Sequence, residues 1–214
     1  ETGAAEQLIG CKLIPCEQID GKVTPETLAP HLGHEPTVHQ AQPRVISITQ
    51  QTEYGTVYSV EEIRAIAQLA KQHRCLLHMD GARLANAAVS LGLDFKAFTQ
   101  ELGVDILSFG GSKNGLMGAE AVVFLTPGLA DHFGYLHKQG MQLTSKMRFI
   151  AAQFLAYFED DLWHQNASHA NAMAELLQDK IKSAPGLLFS RPVDGNALFV
   201  QLPKPAISLL QQQV

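Results

Sequence analysis

The sequence predicts an α/β fold, with a mostly parallel sheet in a large domain over residues 1–145 and the start of a smaller α+β domain over 146–214. Three observations carry this expectation. A strand, a helix and a second strand follow one another over residues 44–79; two more strand patterns lie at 105–109 and 120–125; from about residue 127 the chain turns mostly helical. Strand–helix–strand spacing of this kind reads as a βαβ unit with parallel strands.

The elements follow in order. Thr24 with Pro25 marks a helix start. "RVISIT" (44–49) is apolar and β-branched, as a buried strand requires. Beyond the turn-like "QQTEYGT", Ser59 and Glu62 match a capping box. Val60, Ile63, Ile66, Leu69 and Ala70 then recur at helical spacing over 60–73. "CLLHM" (75–79) is a second buried strand, and residues 82–91 form a helix that stops at Gly92. "FKAFTQEL" reads as helix, "DILSF" (105–109) and "EAVVFL" (120–125) as strands. "QLTSKMRFIAAQFLAYF" and "NASHANAMAELLQDKIK" read as helices, and "GLLFS" (186–190) and "ALFVQL" (197–202) as short strands. A helix-like pattern in "PAISLLQQQV" closes the chain without a cap, and Glu1 opens it without a methionine, so a fragment is expected.

Composition narrows the function classes. The 214 residues are 46% hydrophobic and 17% charged, which supports a real core. A net charge of −5 gives no reason to expect nucleic acid or an anionic membrane as partner. No apolar run is long enough to span a bilayer. Cys11, Cys16 and Cys75 are an odd number without CxxC spacing, so a disulfide framework is not expected, and a cytoplasmic location is.

The chemistry gathers at the carboxyl ends of the strands, where open α/β sheets bind ligands. Asp80 follows "CLLHM" directly, and "DILSF" runs into "GGSKNGLMG", where Lys113 stands among four glycines. The loop is not of the GxxxxGK[ST] phosphate type. A carboxylate and a lone lysine on neighbouring strand ends suit pyridoxal 5'-phosphate, whose aldehyde needs a lysine for a Schiff base and whose ring nitrogen needs an acid. Arg83 stands in a first helical turn three residues past Asp80, where its planar fork suits a substrate carboxylate. A solvated loop lysine, a helix N-cap aspartate and a local Asp80–Arg83 ion pair are the plainer alternatives.

"LLHMDGARLANAAVSLG" with "DILSFGGSKNGLMGAEAVVF" closely resembles the low-specificity L-threonine aldolases, members of the aromatic amino acid β-eliminating lyase and threonine aldolase family. "ETGAAE", "DGKVTPETL" and "RVISITQQTEYGTVYS" resemble it too. The resemblance implies the aspartate-aminotransferase-like fold type I of pyridoxal phosphate enzymes and a carbon–carbon lyase. Such an enzyme cleaves β-hydroxy-α-amino acids to glycine and an aldehyde, commonly as a homo-oligomer. It implies Lys113 as the Schiff-base lysine, Asp80 as partner of the pyridine nitrogen, and Arg83 as binder of the substrate carboxylate. Family members carry their phosphate loop and a ring-stacking histidine before the point matching Glu1, and a carboxylate-binding arginine beyond Val214. Many carry Thr-His after the strand matching "RVISIT"; here Thr52-Glu53 stands there, so no histidine role carries over. A phenylserine aldolase, a β-eliminating lyase and a truncated non-catalytic subunit are the rival readings.

Other residues are weighed more simply. His78 shares a strand face with Asp80 and reads as a hydrogen-bonded supporting histidine rather than a base. His31, His34 and His39 fall in a Pro/Gly-containing loop, and no metal is expected there. Lys146 and Arg148 read as a solvated helix face before a phosphate anchor. The base for the β-hydroxyl proton is not named by the sequence.

Overall fold

Caps and breakers set the element boundaries. The computed structural model describes residues 2–33 and 37–212. Helix α1 spans Ala4–Ile9 and α2 spans Pro25–Leu28. The hydroxyl of Thr24 caps α2, with Thr27 answering it. Strand β1 is Val45–Thr49, α3 is Val60–Gln72 and β2 is Leu76–Gly81. The expected capping box is present: Glu62 N donates to Ser59 Oγ at 3.2 Å, and Ser59 N donates to Glu62 Oε2 at 2.7 Å. Such a cap stabilises a helix by about 1 kcal/mol. Helix α4 spans Leu84–Leu91 and ends at Gly92, whose φ of 63° is the left-handed geometry of a helix stop.

Strand β3 is Ile106–Gly110 and β4 is Glu120–Phe124. The sheet has the order β1-β2-β3-β4; the first three strands are parallel and β4 is antiparallel to β3. That reversal follows from chain length, since the loop of residues 111–119 is too short for the crossover that a parallel pair needs. Helices α5 (Phe133–Gln139), α6 (Met147–Phe158) and α7 (Leu162–Ile181) come next. The chain closes with β5 (Leu188–Phe189), β6 (Val200–Gln201) and α8 (Lys204–Gln211). Strands β5 and β6 make a separate antiparallel pair.

One expected helix is missing. "FKAFTQEL" is a run of turns with a short 3-10 segment, Gln100–Leu102. Its apolar spacing is real, because Phe98 is fully buried and Phe95 packs edge-on against Phe109. Successive i+3 hydrogen bonds, such as Leu102 N to Thr99 O, serve that spacing as well as a helix does. The polar start of "QLTSKMRF" likewise stays outside α6, which begins at Met147.

The sheet has two unlike faces. Ile46, Ile48, Leu77, Met79, Leu107 and Phe109 are buried and pack on α3 and α4 through Ile63, Ile66 and Leu84. Full burial of one such side chain contributes roughly 1.5–3 kcal/mol. The opposite face carries Ser47, His78, Asp80 and Ser108, each less buried than its chain neighbours within the strands. The strands of 44–49 and 75–79 were expected to be buried; this alternation of apolar and polar residues instead gives the sheet one polar side.

The final third of the chain reaches back to the loop between β1 and α3. Gln51 Nε2 donates to Asn196 Oδ1 at 3.2 Å, and Val57 N donates to Asp194 Oδ2 at 3.0 Å. Tyr54 meets Phe199 edge-on. Gln51 is fully buried beneath Gly195, where a Cβ would collide with its carboxamide.

Candidate active site

Three loops leave the carboxyl ends of the parallel strands at one edge of the sheet. Asp80 lies near the end of β2, opposite Thr49 of β1 and Ser108 of β3. Its Oδ1 accepts from Ala82 N at 2.9 Å, a tight turn that fixes the carboxylate. Among the described residues no hydrogen bond uses Oδ2, which stays available to a donor. The turn that runs on to Arg83 touches the start of the Lys113 loop: a Cβ on Gly110 would lie 2.7 Å from Ala82 Cα. Only glycine lets the two backbones meet this closely.

Lys113 lies in a 3-10 turn, Ser112–Asn114, with its side chain exposed. Among the described residues it forms no ion pair. The turn itself is held firmly. Buried Asn114 donates from Nδ2 to Tyr157 Oη at 2.7 Å and to the Trp163 carbonyl oxygen at 2.9 Å. Asn166 Nδ2 donates in turn to the Asn114 carbonyl oxygen at 3.0 Å.

Arg83 does not pair with Asp80. Its Nη1 lies 3.1 Å from Glu53 Oε1, on the loop after β1. The Arg83 side chain is 22% exposed and that of Glu53 61%. The hydrogen bond from Arg83 holds the Glu53 carboxyl below its ordinary range against the opposing cost of partial burial, with the charges of Arg83 and Lys113 adding to the lowering. Glu53 therefore feels both cations, and the three loops converge. The position of Glu53 in the first strand-end loop, beside the Asp80 and Lys113 loops, was the signal in the sequence for this; its role could not be read without the contact.

His78 is engaged at both ring nitrogens. Nδ1 lies 2.8 Å from Ser47 Oγ and Nε2 lies 2.9 Å from Ser108 Oγ. Burial lowers its pKa from the usual histidine value, with the Asp80 charge opposing. A neutral ring bridging two serines is a spacer across three strands, and this agrees with a supporting role. Among the described residues no three His, Cys, Asp or Glu side chains are placed to hold a metal; His34 lies outside those residues. The three cysteines are free. No helix among the described residues is long and apolar enough to cross a membrane.

The open, mostly parallel sheet and the three loops at its strand ends define an α/β protein with a ligand-site edge. A model of the β-eliminating lyase family matches residues 1–204, and the chain belongs to that family. Its relatives give a narrower picture. It is 42% identical over 212 residues to the low specificity L-threonine aldolase of Pseudomonas aeruginosa, covering 99% of this chain and 61% of that protein. It is 40% identical over 214 residues to the enzyme of the same name from a Pseudomonas species, covering 62% of that protein. The solved threonine aldolase of Leishmania major superposes with a TM-score of 0.91 at 31% identity, over 99% of this chain and 61% of that one. A pyridoxal phosphate-bound C–S lyase from Staphylococcus hominis shares the fold alone, with a TM-score of 0.60 at 16% identity. The fold is thus fold type I, as expected, and the chain spans about three-fifths of the length of the curated relatives it matches.

Proposed function

We propose that this chain is the core of a pyridoxal-phosphate lyase that cleaves L-threonine, L-allo-threonine and related β-hydroxy-α-amino acids to glycine and an aldehyde. The observation that carries the reading is the meeting of the Asp80 turn and the Lys113 loop at Gly110–Ala82, with Arg83 in the same turn. The names of the relatives above point to the same activity.

The donor set fits the cofactor. An exposed amine and a carboxylate stand on neighbouring strand ends, and among the described residues the amine has no ion pair and one carboxylate oxygen no hydrogen bond. When bound, the cofactor supplies an electron sink for the pair released from the breaking Cα–Cβ bond. Lys113 Nζ would hold the cofactor's aldehyde carbon and yield it to the substrate amine. Asp80 Oδ2 would keep a proton on the ring nitrogen, as an ionised carboxylate favours the charged form of its partner. Arg83 would take the substrate carboxylate and so orient the Cα–Cβ bond. The β-hydroxyl proton leaves as the aldehyde forms, and Cα gains a proton to give glycine.

The division of the chain belongs to the same reading: residues 1–145 form part of the cofactor-binding domain, and 146–214 the connecting helices and part of the smaller one. A cytoplasmic homo-oligomer also belongs to it, supported by large exposed apolar side chains such as Leu136, Phe149 and Leu155. The family's description supports β-elimination as a second reading. In the full-length protein, borohydride should fix pyridoxal phosphate to Lys113, and Lys113→Ala should abolish the yellow colour. Threonine should yield acetaldehyde and glycine; a 2-oxo acid product with ammonia would favour elimination. A colourless wild type would remove the whole proposal.

A further inference from the structure

Helix α7 grips both halves of the site. At its start, the Trp163 carbonyl oxygen and Asn166 Nδ2 hold Asn114, the residue after Lys113, at 2.9 and 3.0 Å. Further along, Asn171 Nδ2 donates to the Asn86 carbonyl oxygen at 3.0 Å, and Asn86 Nδ2 returns a bond to Asn171 Oδ1 at 2.9 Å. Asn86 is 1% exposed and lies in the first turn of α4, which begins directly after Arg83.

Three features mark these bonds as more than packing. Asparagine weakens a helix interior, yet α7 carries both residues there. Each donates to a main-chain carbonyl on the far side, which fixes the path of the backbone rather than one rotamer. Room is kept for the first grip at Gly115, where φ is 104° and a Cβ would lie 2.8 Å from Asn166 Nδ2.

We propose that Asn166 and Asn171 are positioning residues: α7 is a crossbar that sets the separation of Lys113 and Arg83. A ligand that meets Lys113 with its amine and Arg83 with its carboxylate is sensitive to that separation, and glycine and β-alanine, which differ by one carbon between the two groups, probe it. The inference rests on the roles given above to Lys113 and Arg83. Each asparagine governs a different end, which a general loss of stability would not reproduce.

The test uses the full-length protein loaded with pyridoxal phosphate, with Asn166→Ala and Asn171→Ala, and the near-isosteric Asn→Asp at each site should alanine fail to fold. The pH titration of the visible band reads the Lys113 end. Dissociation constants of glycine and β-alanine, read from the change in that band, report the Arg83 end. Asn166→Ala should move the titration midpoint by about half a pH unit or more. Asn171→Ala should leave the midpoint in place, weaken glycine about tenfold and change the glycine to β-alanine ratio. Unchanged midpoints and an unchanged glycine to β-alanine ratio, with only lower melting temperatures, would overturn the crossbar alone. A wild type that borohydride does not label at Lys113 would overturn the roles beneath it, before any asparagine variant is made.

Discussion

Replacing Gly110 with alanine puts one methyl group where the Lys113 loop meets the Asp80 turn. The new Cβ would lie 2.7 Å from Ala82 Cα, 3.0 Å from its carbonyl oxygen and 3.1 Å from its carbonyl carbon. Carbon atoms rest about 3.5–4.0 Å apart, so roughly an ångström of retreat is needed. The neighbour is backbone, held by the Ala82 N to Asp80 Oδ1 bond and by the start of α4, so no rotamer change relieves the clash. Overpacking costs about 1–3 kcal/mol, and a rigid neighbour places this case near the upper end, at about 2–3 kcal/mol. The same ångström separates Asp80 and Arg83 from Lys113, and misplacement on that scale lowers turnover on the order of 100-fold. Gly118→Ala in the same loop is the control, because nothing lies within 4 Å of its Cβ position. Its stability should stay within about 0.5 kcal/mol of wild type. Urea unfolding and the kcat/KM for threonine cleavage measure both quantities. Equal behaviour of Gly110→Ala and Gly118→Ala would refute the claim that these loops are in backbone contact.

Two further outcomes follow from charge. Glu53→Gln removes the carboxylate that occupies Arg83, so glycine should bind up to about fivefold more tightly, the ceiling for a solvent-exposed ion pair; weaker binding would show that Glu53 supports the ligand. The folded-state pKa of His78 lies below the ordinary value of 6.5 because burial disfavours its charged form. As pH falls the unfolded chain therefore binds this proton first; the stability is complete above about pH 6.5 and is lost as pH drops toward the folded-state pKa. Urea midpoints taken between about pH 7.5 and about pH 5.5 should fall less steeply in His78→Gln than in wild type; parallel slopes would exclude His78 as the source.

Local signals in the sequence carried much of this fold. The strand of 44–49, the Ser59–Glu62 box, the strand of 75–79 and the stop at Gly92 each follow from side chains within a few residues of one another, and all four are present. The segment 95–102 misled because Phe95 and Phe98 need only anchor points three apart, which turns satisfy as well as a helix. The edge holding Asp80, Arg83 and Lys113 could be read because strand order and strand ends follow from the alternation of elements. Glu53 on Arg83 and the α7 asparagines could not, since those bonds join residues 30, 52 and 85 positions apart and leave no periodic trace.

The bond from Gln51 to Asn196 spans 145 residues. At a synthesis rate of about 5–20 residues per second, the loop that carries Glu53 waits roughly 7–29 s for its partner. The strands around it need only neighbours already made, so the sheet precedes its own rim. Gln51 and Val57, on either side of Glu53, gain their bonds to Asn196 and Asp194 only when the last third of the chain arrives, and the growing chain spends that interval with a finished floor and an unfinished doorway.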